Sequence, residues 1–193
     1  SFSLAYLPAP GLLRLRLTLN SVKDKVDEDA FQFQCYRLEA SLKDDLFGYN
    51  NDSLQSVVGQ LLSKNKFSVS TAESCTGGNV AHLITSVPGA SEYFKGSIIA
   101  YSNEIKQKML NIPESDIKKY GAVSKQVVLQ MAENIKKHFN TDFGIATSGI
   151  AGPTGGSPDK PVGTVWIAIA SPRTNLAIKL QLGEDRGRTI TRS

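Results

Sequence analysis

Apolar and polar positions along this chain follow two rhythms, and the rhythm switches several times. Leu13, Leu15, Leu17 and Leu19 alternate with Arg14, Arg16 and Thr18, the period of a half-buried strand with a basic outer face. Phe31, Cys35, Leu38 and Leu42 then fall on one face of a helix. The polar run from Asp44-Asp45 to Asn50-Asn51-Asp52 predicts a linker. Beyond it Leu54, Val57, Val58, Leu61 and Leu62 recur at helical spacing, an amphipathic helix opened by Asp52 or Ser53.

Phe67, Val69 and Thr71 alternate like one face of a strand, and after Gly77-Gly78 the residues Val80, Leu83, Ile84 and Val87 return to helical spacing. Residues 97–101 form a short apolar run between Gly96 and Ser102-Asn103, which predicts a buried strand followed by a capped helix. Ser124 caps another helix, with Val127, Val128, Met131 and Ile135 inward. The last third turns to strands, at 143–147, at Val165, Ile167 and Ile169, and at Leu176, Ile178, Leu180 and Leu182. The final pair is joined across 171–175 as an antiparallel hairpin. The pattern predicts an α/β fold: a mixed β-sheet flanked by helices in three layers, with a small α+β N-terminal segment. Residues 1–48 and 52–193 are the expected units.

Composition narrows the function classes. A chain of 193 residues suits one domain plus a small appendage, and 40% hydrophobic with 21% charged residues is ordinary for a globular protein. The net charge of +4 is too mild to argue for nucleic acid. Arg14 and Arg16 offer a basic face, yet residues 1–50 lack the Gly-x-x-Gly loop that clamps an RNA backbone, so a solvated strand face is the simpler expectation. Cys35 and Cys75 make no disulfide framework, which points to a reducing cytoplasm. No apolar run has the length of a membrane span, and no secretory signal is visible. His82 and His138 are far apart with no Cys/His cluster, so neither a metal nor another cofactor is expected. The chain opens Ser-Phe-Ser and stops where a helix is starting, so a fragment of a longer protein is expected.

The candidate chemistry lies in two glycine-rich loops and the segment between them. Thr71-Ala-Glu-Ser-Cys-Thr-Gly-Gly78 places Ser74 where a strand turns into a helix, with N–H groups of the first helical turn available to an anion or a developing oxyanion. Cys75, with no histidine near it, reads as packing. The second loop is Gly149-Ile-Ala-Gly-Pro-Thr-Gly-Gly-Ser157. Neither loop is a P-loop or a Gly-x-Gly-x-x-Gly turn, and Ser74 is not in a Gly-x-Ser-x-Gly elbow. Between them Tyr101 ends a strand and Lys106 starts a helix; a lysine there, if desolvated, has a lowered pKa and acts as a base.

Five motifs in order, Ala72-Glu-Ser-Cys-Thr-Gly-Gly78, Tyr101-Ser-Asn-Glu-x-Lys106, Gly121-Ala-Val-Ser124, Ser148-Gly-Ile-Ala-Gly-Pro-x-Gly-Gly156 and Lys160-Pro-Val-Gly-Thr-Val-Trp166, resemble the C-terminal domain of the competence/damage-inducible protein CinA. Leu7-Pro-Ala-Pro-Gly11 and the following strand resemble part of the KH-like linker preceding that domain. The resemblance implies a nicotinamide mononucleotide deamidase, with Ser74 as nucleophile, Lys106 as base and Tyr101 holding the lysine or relaying a proton. It implies substrate contacts at Thr76, Gly77, Gly78, Ser148, Gly149, Gly152, Gly155, Gly156 and Arg186, of which the glycine loops and Arg186 compete for the phosphate. The partner implied is a small pyridine nucleotide, with a homodimer open by base rate and a larger N-terminal CinA domain in the full-length protein. The pyrophosphatase activity of that larger domain is not credited to this chain. The other class of reading is a non-catalytic nucleotide-binding or interaction module; ammonia release from the mononucleotide separates the two.

Overall fold

The computed structural model describes residues 2–9, 11–20, 25–183 and 185–193; Ser1, Pro10 and Glu184 of the segments discussed above lie outside them. The chain divides into two compact units, Ser1–Leu54 and Gln55–Ser193.

In the first unit β1 (Phe2–Ala9) pairs antiparallel with β2 (Leu12–Leu19), followed by α1 (Lys25–Leu42). Leu15, Leu17 and Leu19 of β2 are half-buried and Arg14 and Arg16 exposed, as alternation predicts, but Leu13, expected on the same inner face, is exposed near the start of the strand. Phe31, Cys35, Leu38 and Leu42 of α1 are half-buried; Phe31 stacks on Phe2, with ring centroids 6.5 Å apart. β1 is an element the sequence pattern does not announce.

The second unit is built on a five-stranded mixed sheet of order β4-β3-β5-β6-β7. Its strands are β3 (Val69–Glu73), β4 (Phe94–Ile99), β5 (Phe143–Gly149), β6 (Thr164–Ala170) and β7 (Asn175–Gln181). β3 lies between β4 and β5 and is parallel to both; β5–β6 and β6–β7 are antiparallel, so the predicted hairpin is present. β3 is buried on both faces. β4 is an edge strand and only half-buried, whereas its apolar run suggests a buried one.

Helices cover the two faces. α4 (Asn103–Leu110), α5 (Glu114–Tyr120) and α6 (Lys125–Phe139) pack over Ala72, Ala146, Ala168 and Ala170, with Val127, Val128, Met131 and Ile135 wholly buried. Ser102 caps α4 and Ser124 caps α6, each hydroxyl accepting an amide of the first turn. On the other face α2 (Leu54–Asn65) contributes Leu62 and α3 (Asn79–Thr85) contributes Ile84, both to a cluster around Val69 and Tyr93; α7 (Arg186–Arg192) brings Ile190 near Cys75 and Val165.

Two expected core faces turn out differently. In α2 the Leu54, Val58 and Leu61 stripe is exposed, and Gly59 is the buried residue, pressed against Tyr93. In β6 both faces are enclosed, Val165 wholly buried on the expected face and Ala168 and Ala170 under α6 on the other, while Leu176 and Ile178 of β7 are exposed. Small residues admit a helix closely: the Ala132 carbonyl of α6 lies directly over Gly144. No helix among the described residues is long and apolar enough to cross a membrane.

Candidate active site

The parallel strands β3, β4 and β5 end at one edge of the sheet, the edge where open α/β sheets bind ligands. The ladder extends past the strands, with Ser74 N–H donating to the Thr147 carbonyl (3.0 Å) and Ala100 N–H to the Glu73 carbonyl (2.7 Å). Alternation along β3 sends Ala72 and Ser74 toward α4 and α6, and Thr71 and Glu73 toward α3.

Lys106, the fourth residue of α4, meets Ser74 on its side of the sheet. Its Nζ lies 3.0 Å from Ser74 Oγ, 2.7 Å from the Ala100 carbonyl and 3.4 Å from the Tyr101 carbonyl. Lys106 is 2% exposed and Ser74 7%. Burial in this setting lowers the lysine from 10.5 to about 8. The structure thus brings together the two residues that strand-end and helix-start positions single out in the sequence.

The remaining candidates separate. Gly77 and Gly78, at φ 60° and 101°, make the turn into α3 in a backbone region that favours glycine. Thr76 is buried, its hydroxyl donating to Glu73 (2.6 Å) and contacting Thr147 Oγ1 (2.7 Å). The anion at the first turn of α3 is internal: Glu73 accepts from the amides of Gly78 (2.9 Å), Val80 (3.1 Å) and Ala81 (2.7 Å). Those N–H groups, expected to face a ligand, are already occupied. The amides of Cys75 and Thr76 have no carbonyl or carboxylate acceptor among the described residues and lie by the Cys75 sulfur, a weak acceptor. Burial pushes that thiol up to about 11, so Cys75 is a packing group and not a thiolate at neutral pH.

Tyr101 contacts Lys106 through its backbone carbonyl; the residue is 60% exposed and its hydroxyl accepts from Arg186 Nη2 at 3.1 Å. Arg186 Nη1 donates to the Gly152 carbonyl at 2.8 Å, so the guanidinium joins β4's end, the second glycine loop and α7. The Ser148 hydroxyl is buried and donates to the Ala122 carbonyl at 2.9 Å. Gly149 packs where a Cβ would meet Cys75 Sγ and Val165, which lets the ends of β3 and β5 approach. Gly155 and Gly156 lie on the exposed outer part of the loop; no hydrogen bond among the described residues joins them to Ser74, Lys106 or Arg186. Lys160 anchors this loop, its Nζ donating to the Tyr120 carbonyl at 2.8 Å. The role of Glu73 is missed by sequence reasoning, although the pattern of a strand-end carboxylate before a Gly-Gly helix start is its signal.

The comparisons agree with one another. The sequence profile of the CinA C-terminal domain matches residues 51–193. A CinA-like protein of Cytophaga hutchinsonii is 45% identical over 187 residues, covering 97% of this chain and 45% of that protein. Another from Flavobacterium psychrophilum is 44% identical over 191 residues, covering 98% of this chain and 46% of that protein. The chain therefore spans less than half the length of these curated relatives. The crystal structure of a competence/damage-inducible protein from Agrobacterium tumefaciens superposes with a TM-score of 0.70 at 34% identity, covering 75% of this chain and 89% of that one. A CinA superfamily protein from Escherichia coli gives 0.69 at 26% identity, covering 77% and 90%. On a profile match over most of its length and relatives this similar, the chain belongs to the CinA C-terminal domain family.

Proposed function

We propose that this chain hydrolyses the carboxamide of nicotinamide mononucleotide to nicotinate mononucleotide and ammonia through a serine–lysine mechanism. The observation that carries the reading is the 3.0 Å approach of buried Lys106 Nζ to buried Ser74 Oγ. A neutral amine has two hydrogens and one lone pair. The Ala100 and Tyr101 carbonyls can take the hydrogens, which leaves the lone pair for the serine proton.

Ser74 Oγ attacks the carboxamide carbon as its proton passes to Lys106. The tetrahedral oxyanion finds donors in the amides of Cys75 and Thr76, where loss of one such donor costs about 3 kcal/mol of barrier. Lys106 returns the proton to the leaving nitrogen, the C–N bond breaks and ammonia departs. Water then attacks the acyl-serine with Lys106 again as base, and Ser74 is regenerated. With the α3 amides held by Glu73, the phosphate falls to Arg186 and the second glycine loop.

Incubating the purified chain with nicotinamide mononucleotide and measuring ammonia tests the reading. Release should occur, and Ser74→Ala should abolish it with little change in thermal stability. Wild-type turnover in Ser74→Ala would sink the serine mechanism, and no release by a folded wild type would sink the substrate.

A further inference from the structure

Among the described residues Glu73 is the one carboxylate in the buried set, 1% exposed, and it immediately precedes Ser74. Its charge is held without a cation; the two ion pairs found among those residues are exposed pairs along α4 and α5. Four donors converge on its two oxygens, three amides and the Thr76 hydroxyl. The single Thr76 proton goes to Glu73, so in the Thr76–Thr147 contact Thr147 must be the donor. Thr147 also offers its backbone carbonyl to the Ser74 amide. On the other side, the Glu73 carbonyl accepts from Ala100, whose own carbonyl receives Lys106 Nζ. One residue is thereby bonded to the turn of the nucleophile and to the segment that seats the base.

We propose that Glu73 is a positioning residue for the reaction: its carboxylate ties the turn from Ser74 to Gly78 onto the first turn of α3 and so keeps Ser74 Oγ within reach of Lys106. The proposal rests on the serine–lysine reading. Reaction geometry is steep in distance, and a displacement of about 1 Å costs on the order of a hundredfold in rate. Glu73→Gln preserves shape but sets one carbonyl oxygen and an NH2 group against four donors, so the turn loosens without a cavity.

A fluorophosphonate that reacts with activated serines tests this without the nucleotide. The Ser74 Oγ–P bond forms, the P–F bond breaks, the hydroxyl proton passes to Lys106 and fluoride leaves. Mass spectrometry gives both the rate constant and the final stoichiometry. The wild type should label at Ser74. Glu73→Gln should reach the same end point with a rate constant at least about tenfold lower. Its kcat for nicotinamide mononucleotide should fall in parallel while KM moves less than about threefold. A role confined to folding would lower the end point and leave the rate constant of the folded fraction unchanged, which would overturn the proposal. Thr76→Val removes one donor with the carboxylate in place and decides the matter if Glu73→Gln does not fold. Its rate constant should drop by about threefold or more, and a wild-type value would overturn the proposal. A wild type that labels but releases no ammonia overturns the substrate and leaves Glu73 standing; a wild type that does not label overturns both.

Discussion

Lys106 shows how far one environment changes one group. Its amine sits between a hydroxyl and two carbonyls, and burial brings its pKa to about 8. Turnover should rise with pH and level off above about 8, where the neutral amine dominates. Lys106→Arg should be nearly inactive throughout, because a guanidinium stays protonated. Stability responds with a definite sign. The folded chain gives up this proton near 8 and the unfolded chain near 10.5, so between those values the unfolded state binds more protons and stability climbs with pH. The contribution is complete above 10.5 and is lost as pH falls through about 8. The gap in stability between the wild type and Lys106→Met should therefore move in the wild type's favour across that window, whatever its absolute size. Thermal unfolding of both proteins along a pH series checks this; a constant gap would mean that the folded lysine titrates like a free one.

Elements are legible where period and packing coincide. In α6 the apolar residues at helical spacing are the ones wholly buried, and the cap residue Ser124 does cap. Legibility fails where small residues face the core. The alanines of β6 lie under α6 and the larger residues of β7 stay exposed, because closeness of approach, not size, decides which face a helix covers. The edge position of β4 is invisible for another reason: strand order is set by long-range pairing, which a local apolar run does not encode. The packing of α2 belongs to the first kind. A Cβ at Gly59 would collide with the Tyr93 hydroxyl, a buried group with no partner among the described residues. Gly59→Ala should cost about 1–3 kcal/mol through overpacking. Tyr93→Phe should be close to neutral or stabilising, since it removes an unsatisfied hydroxyl. In the double variant part of the collision disappears, so the two effects should couple by about 1 kcal/mol. Urea unfolding of the four proteins measures that coupling, and strict additivity would show that α2 shifts away instead of pressing on Tyr93.

At the scale of the whole second unit, the candidate site is a meeting of segments distant along the chain. Ser74 and Lys106 can be found in the sequence because each stands at a junction of elements, but the partner of Tyr101 cannot. It is Arg186, 85 residues away, and the contact exists only once α7 is seated near the end of β4. The guanidinium also reaches the Gly152 carbonyl, so a single side chain ties α7 both to Tyr101 and to the second glycine loop. Both contacts are to neutral oxygens, which leaves the positive charge uncompensated by any ion pair found among the described residues. That charge is what a substrate phosphate would meet. Arg186→Ala should weaken the mononucleotide by roughly ten- to a hundredfold, since a charged hydrogen-bonded contact contributes about 1.5–3 kcal/mol. The riboside, which has no phosphate, should lose far less. Arg186→Lys should recover only part of the difference, because an ammonium on a flexible stem cannot present the planar fork. Tyr101→Phe removes one tether while the Gly152 contact remains, so its effect on the same ratio should be smaller than that of Arg186→Ala. Specificity constants for both substrates in the wild type and these three variants decide the matter. An unchanged ratio in Arg186→Ala would assign the phosphate to the second glycine loop and leave Arg186 as a clasp between α7 and the sheet.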